Sequence, residues 1–279
     1  SGLTSLDLSS FNTANVEYMD EMFNNCSGLT KIYVSDDFTT DHNPSGSSMF
    51  KDCSTSLQGA VAYNPNNTDQ SMANCTSGYF TKSNLTPYVK WNADTKVLTF
   101  KVANYTTGTN GEYKLNEGNN EPGWLGLNFN CTKVVFTPSF KQAKPTSCYK
   151  WFSGFGLLTT IQGIENLNTE EVTDMSYMLQ LCPKLSSLDL SSFNTTKVSD
   201  MYAMFFGCSG LTSLDLSSFN TAEVTDMNSM FGGCSGLTSL DVSKFNTDEV
   251  TNMSHMFGGC PGLTSLDLPS FNTAEVTQM

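Results

Sequence analysis

The chain repeats itself every 26 residues. The unit reads LTSLDLSSFNTAEVTDMNSMFGGCSG at 211–236, with close copies from Leu185, Leu237 and Leu263 and another from Leu3. A fixed period of this length constrains the fold more than any other feature. One turn of such a chain cannot bury its apolar face alone, so neighbouring turns must stack and cover it. Function in a repeat array of this kind is expected on a repeated surface rather than in one catalytic pocket.

Within the unit, LxxLDL reads as a short strand that turns through Ser-Ser. Leu211, Leu214 and Leu216 point inward and Phe219 closes the corner. In VTDMxxMFxxC, residues Val224, Met227, Met230, Phe231 and Cys234 fall three to four apart, which predicts a short helix. Thr225 and Asp226 are placed to cap it, and Gly232, Gly233 and Gly236 to end it. The fold class this predicts is an α/β solenoid: arrays of short parallel strands and short helices. Strands from successive units should align Leu188, Leu214, Leu240 and Leu266 in one inward column.

Three segments follow. Residues 1–81 form the C-terminal part of a first array, with an insertion at His42-Asn43-Pro44 and a degenerate closing segment after Leu57. Residues 82–150 break the period. PYVKW and KVLTFKV alternate on either side of Asn92-Ala93-Asp94, a hairpin signal, and the stretch to about Pro122 reads as a polar loop. This segment is expected to be a β-rich cap that opens the second array. Residues 151–279 are that second array, with units from Leu158, Leu185, Leu211, Leu237 and Leu263, stopping inside a repeat at Met279. Ser1-Gly2-Leu3 matches the seam at Ser235-Gly236-Leu237, so the chain reads as a piece of a longer protein whose ends invite head-to-tail self-association.

Charge narrows the partners. The net charge is −13, and all 14 basic residues are Lys. Nucleic-acid binding needs a basic footprint, and an anionic membrane surface would repel this chain. No run of 18 apolar residues exists to span a bilayer. No enzyme constellation emerges either. The two His are His42 and His255, and there is no GxSxG, HExxH or phosphate loop. The loop-rich segment 104–130 is the only seat an enzyme site could take, with Tyr105, Tyr113 and Trp124 there to line a carbohydrate groove.

Several rows of side chains remain to be weighed. Asp189, Asp215, Asp241 and Asp267 occupy one slot in successive strands and alternate outward, as does Asp7. They form either a solvated polar face or a negative strip that recruits Ca²⁺ or a basic partner. A second row, Asp174, Asp200 and Asp226, reads as helix capping, with Asn252 and Gln278 in the acid's place. Cys182, Cys208, Cys234 and Cys260 recur each period and read as a ladder of buried thiols; no CxxC spacing suggests a metal. Cys131 and Cys148 flank a cap strand and are the pair that could form a disulfide. The paired methionines, such as Met201 and Met204, read as core.

The motif LDLSSFNT…VTDMxxMFxxCSGL, together with the SGYFT close, resembles the BspA-like leucine-rich repeats of bacterial surface proteins over most of the chain. The resemblance implies an extracellular, cell-surface attached protein that adheres to a protein or glycan of a host or neighbouring cell. It supplies no catalytic residues. The alternative is a structural stalk or filament subunit assembled head to tail. A binding protein should concentrate its departures from the repeat on one face, whereas a stalk should keep consecutive turns equivalent.

Overall fold

The computed structural model describes residues 2–9, 11–35, 38–40, 45–83, 85–104, 111–116 and 118–279. His42, Asn43, Pro44 and Tyr105 lie outside the described residues. The chain forms two compact units, Ser1–Leu85 and Thr86–Met279.

In the first unit, strands β1 (Ser5–Leu8), β2 (Lys31–Val34) and β3 (Thr81–Lys82) pair in parallel in that order. The register sets Leu6 beside Ile32 and Asp7 beside Tyr33. Phe23 and Phe50 stack at 5.3 Å, and Phe80 meets both edge-on. The degenerate stretch after Leu57 closes this core. Tyr79 is fully buried, and its hydroxyl donates to the carbonyls of Asn64 and Asn67 at 3.1 and 2.8 Å.

The second unit carries a five-stranded sheet ordered β6-β4-β5-β7-β8. Its strands are β4 (Leu85–Asn92), β5 (Val97–Asn104), β6 (Glu112–Lys114), β7 (Lys133–Phe136) and β8 (Thr160–Gln162). Strands β5, β7 and β8 run parallel, and β6 is antiparallel to β4. Phe100 lies 4.5 Å from Phe136 and 5.1 Å from Trp151, ring to ring. This aromatic cluster belongs to one apolar core that continues through the Met, Phe, Cys and Leu slots of the repeats to Met256.

The expected α/β solenoid is not what forms. Among the described residues there is no α-helix, only four short 3₁₀ turns at Gln70–Met72, Leu125–Leu127, Pro138–Gln142 and Ile164–Asn166, beside the two sheets. The segment read as a helix is a run of tight turns. Met230 N–H bonds back three residues to Met227, Gly232 to Ser229 and Cys234 to Phe231, at 3.0–3.1 Å. The residues between them send their N–H groups outward. Met227, Ser229, Phe231 and Gly233 donate to the carbonyls of Asn252, Ser254, Met256 and Gly258 in the following unit, at 2.7–3.0 Å. Two left-handed residues per unit enforce this path: Tyr177 and Leu181, Ala203 and Gly207, Ser229 and Gly233, His255 and Gly259, with φ between 50° and 72°. A right-handed helix cannot run through such positions. The three-residue spacing of apolar side chains therefore reports turns of three, not a helical period.

The LDL column is also corrected. Strands form in the repeat slots rich in β-branched and aromatic residues, KIYV, VLTF, KVVF and TIQ, as strand preferences favour. The segments around 188–190, 214–216, 240–242 and 266–268 are not strands. Each would set one carboxylate against the next in register, which opposes pairing. Each of Asp189, Asp215 and Asp241 instead accepts the N–H two residues on, at 2.9–3.0 Å, a local bond that competes with a ladder. Leu214 is buried, while Leu188, Leu240 and Leu266 are half-buried against the same core.

The FNT triplet makes the joints. Phe193, Phe219 and Phe245 are buried. The Asn Oδ1 accepts the N–H two residues on, as Asn220 does from Ala222 at 3.0 Å. The Thr is buried and serves two backbone groups of the next unit: Thr221 Oγ1 donates to Asn246 O at 2.7 Å and accepts from Asn246 N–H at 2.8 Å. Thr169, Thr195 and Thr247 repeat this with Asn194, Asn220 and Asn272. Removing the hydroxyl strands a buried donor and a buried acceptor, each costing about 1–3 kcal/mol. Thr221→Val should therefore destabilise the chain by about 3 kcal/mol, whereas Thr221→Ser should retain most of the stability. Denaturant unfolding monitored by tryptophan fluorescence measures both.

Candidate binding face

The predicted acid row is exposed throughout: Asp189, Asp215, Asp241 and Asp267 all point to solvent. The serines two residues on hold the carboxyls of Asp189, Asp215 and Asp241 below their ordinary value through side-chain and backbone hydrogen bonds. These acids thus accept bonds from their own turns. Among the described residues no three His, Cys, Asp or Glu side chains converge as a metal site.

All nine cysteines are free thiols. Cys182, Cys208, Cys234 and Cys260 each donate Sγ–H to a carbonyl 29 or 30 residues earlier, at 3.0–3.2 Å. The ladder is thus a set of thiol joints between turns as well as a row of small apolar side chains. Cys131 and Cys148, the pair that could form a disulfide, are both buried free thiols. Burial is the main cause that pushes Cys131 up to about 11 and Cys148 higher still. The reason they remain apart is positional. The Thr159 N–H bond to Thr132 O puts Cys131 in the slot that Leu158 fills one unit later. Likewise, the bridge from Ser147 to Asp174 puts Cys148 in the slot of Met175. Both are core positions, but different ones.

The second acid row changes role. With no helix to cap, Asp174, Asp200 and Asp226 cap turns: each Oδ1 accepts the N–H two residues on, from Ser176, Tyr202 and Asn228, at 2.7–2.8 Å. Parallel backbone bridges link Ser147, Asp174, Asp200, Asp226, Asn252 and Gln278 in one line. Asp174 is buried, and Asp200 lies between two like charges. Burial chiefly, then Asp174 and Asp226, push Asp200 up to about 6. At the next position the charge is gone: Asn252 Nδ2 donates to Asp226 Oδ2 at 3.2 Å.

Beside this line runs a patch that sequence reasoning missed. Tyr149, Tyr177 and Tyr202 come from three consecutive units, with rings 6.0 and 4.8 Å apart. Tyr177 is half-buried beside Tyr202, and its phenol is pushed up to about 12, chiefly by burial. Lys150 sits over the Tyr149 and Tyr177 rings at 5.2 and 5.7 Å and pairs with Glu121 at 2.5 Å. Exposed Leu181 and half-buried Phe206 extend the patch. In later units the same slots hold Asn228, Ser229, Gly232 and Gly233. Laying the units over one another and marking departures would have found it. Trp124, proposed for a carbohydrate groove, is instead fully buried, with its Nε1–H on Trp151 O at 2.8 Å.

The raised value of Asp200 fixes the sign of a pH effect. Its folded value of about 6 exceeds the ordinary 3.8, so between these values the folded chain holds a proton that the unfolded chain has lost. This contribution favours the fold below pH 4, fades as the pH rises to 6, and stays lost above. Asp200→Asn should raise the Tm at pH 7 relative to the parent, with the difference vanishing near pH 4; paired thermal melts across pH measure it.

No curated protein and no solved structure matches the chain. A family model does, over residues 3–88, 146–240 and 212–279, together more than half of the chain. By that match the chain belongs to the family described as "Mycoplasma protein of unknown function, DUF285".

Proposed function

We propose that this chain is an extracellular, surface-attached binding module of the BspA-like kind, and that the Tyr149–Tyr177–Tyr202 patch is its contact face for a protein or glycan. The observation that supports this is the clustering of departures from the repeat. Tyr, Leu and Phe replace Asn, Ser and Gly on the turn edge of consecutive units, while the inward slots stay apolar even where Cys148, Trp151 and Phe155 stand in place of Met, Met and Cys. Tyrosines that are half-buried, ring-packed and flanked by an ion pair offer rigid amphipathic contact area at low entropic cost. The outward acids Asp189, Asp215, Asp241 and Asp267 supply a negative field that favours partners of basic character. The reading assigns the chain no catalytic role and requires no cofactor.

The test is a glycan and matrix-protein array, followed by titration of each hit. Tyr177→Ser with Tyr202→Asn rebuilds the residues that later units carry at these slots, so the fold should survive. Affinity should fall at least tenfold, about 1.4 kcal/mol. Unchanged binding by a folded double variant would refute this face.

Self-association is the second reading. Leu3, Phe11, Tyr18 and Met22 expose 39–69% of their surface on the first unit. The second unit carries an apolar cavity of about 360 Å³ lined by Met253, Met256, Phe257, Leu268 and Phe271. If chains associate through these surfaces, light scattering over a concentration series should show growth that Phe11→Ser with Met22→Ser suppresses. A constant monomer mass would remove the reading.

A further inference from the structure

Successive repeats carry a column of Thr and Ser hydroxyls that runs from unit to unit. Thr277 donates both N–H and Oγ1–H to Thr251 O, Thr251 to Thr225 O, Thr225 to Ser199 O, Ser199 to Thr173 O and Thr173 to Thr146 O, at 2.8–3.3 Å. Thr146 heads the column. Its carbonyl is taken, but among the described residues neither its N–H nor its hydroxyl finds an acceptor, and the side chain is exposed. Where a preceding turn would supply that acceptor there is instead an open cavity of about 450 Å³.

The walls of this cavity reverse the charge of the protein. Lys114 and Lys144 line it, both exposed; neither makes an ion pair with a described residue, though Lys144 lies near enough to Glu171 to help Lys197 hold that carboxyl below its ordinary value. None of its described lining residues is acidic, in a chain with net charge −13. Asn116 forms a fixed side. Its Oδ1 is held by Trp151 Nε1–H at 2.7 Å, and its Nδ2 donates to Asn120 O at 3.0 Å, so the wall is set before any ligand arrives. Pro87, half-buried, adds a flat apolar face.

We propose that this cavity binds the carboxylate of an acidic sugar. The carboxylate would take the N–H and hydroxyl of Thr146, between the two ammonium groups. The sugar ring would lie with one C–H face on Pro87. Two cations and two converging neutral donors in a concave, pre-set site suit an anion. A shallow proline face suits a hydroxylated ring better than a peptide side chain, which would need a deep apolar hole. The site adjoins the tyrosine patch, Asn116 Nδ2 lying 3.5 Å from Tyr149 O, but uses none of its rings.

Titration of the full chain with D-glucuronate, followed by amide NMR, is the test. The Thr146 amide should shift saturably, D-glucose should leave it unmoved, and Lys114→Gln with Lys144→Gln should weaken binding at least tenfold with the remaining spectrum preserved. A Thr146 amide indifferent to glucuronate overturns the proposal. So does a response to glucose equal to that to glucuronate, or full affinity in the double variant. Acetate or a free peptide C-terminus binding as tightly as glucuronate would overturn the assignment to a sugar.

Discussion

Everything in the second unit rests on how one turn satisfies the backbone of the next. Alternate N–H groups from Met175 to Leu181 find the carbonyls of Asp200, Tyr202, Met204 and Phe206, and the pattern repeats in the units that follow. The left-handed residues at Tyr177, Leu181, Ala203, Gly207, Ser229 and Gly233 aim those groups outward. Left-handed backbone costs an ordinary residue about 1–2 kcal/mol. That cost is borne because a buried backbone group left unpaired is dearer still. Side chains reinforce the same joints: Thr221 inside, Thr225 outside and the Cys234 thiol each bond across a unit boundary. These Thr and Cys slots of the repeat are therefore connectors, and its apolar residues are the material between them.

This division explains what could be read in advance. The period, the inward Val, Met, Phe and Cys slots and the β-rich character of PYVKW and KVLTFKV were legible, because side-chain polarity alone decides burial there. The backbone path between those slots was not. Apolar residues three apart fit both a helix and a series of three-residue turns. The feature that separates the two is a positive φ, and Leu181 or Ala203 carries no sign of it. Gly233 and Gly259 do carry one, but they read equally well as helix ends. The LDL segments of the second unit form no strands: one Asp per unit looks harmless until the stack brings successive carboxylates into register, whereas Ser5–Leu8 pairs with Asp7 beside Tyr33.

The same blindness applied to the candidate face. Asp200 and Asp215 look alike in sequence, yet one is half-buried between like charges and the other is exposed and bonded to its own turn. Only the stacking of turns tells them apart. Tyr149, Tyr177 and Tyr202 sit at two different slots of the repeat and form no obvious row in the sequence. They come together because the turn edge brings those slots side by side. A surface of this kind is built by exception. The repeat supplies a rigid frame, and a few substitutions at outward positions supply chemistry without disturbing the joints.

The central claim is that the VTDMxxMFxxC segment is a series of turns bonded to its neighbour, not a helix bonded to itself. Scalar couplings across hydrogen bonds report the acceptor of each amide directly. The Ser229 amide should correlate with the carbonyl of Ser254, 2.8 Å away, and the Phe231 amide with that of Met256 at 3.0 Å. A correlation from Ser229 to Thr225, four residues back, would mean a helix and would contradict the account.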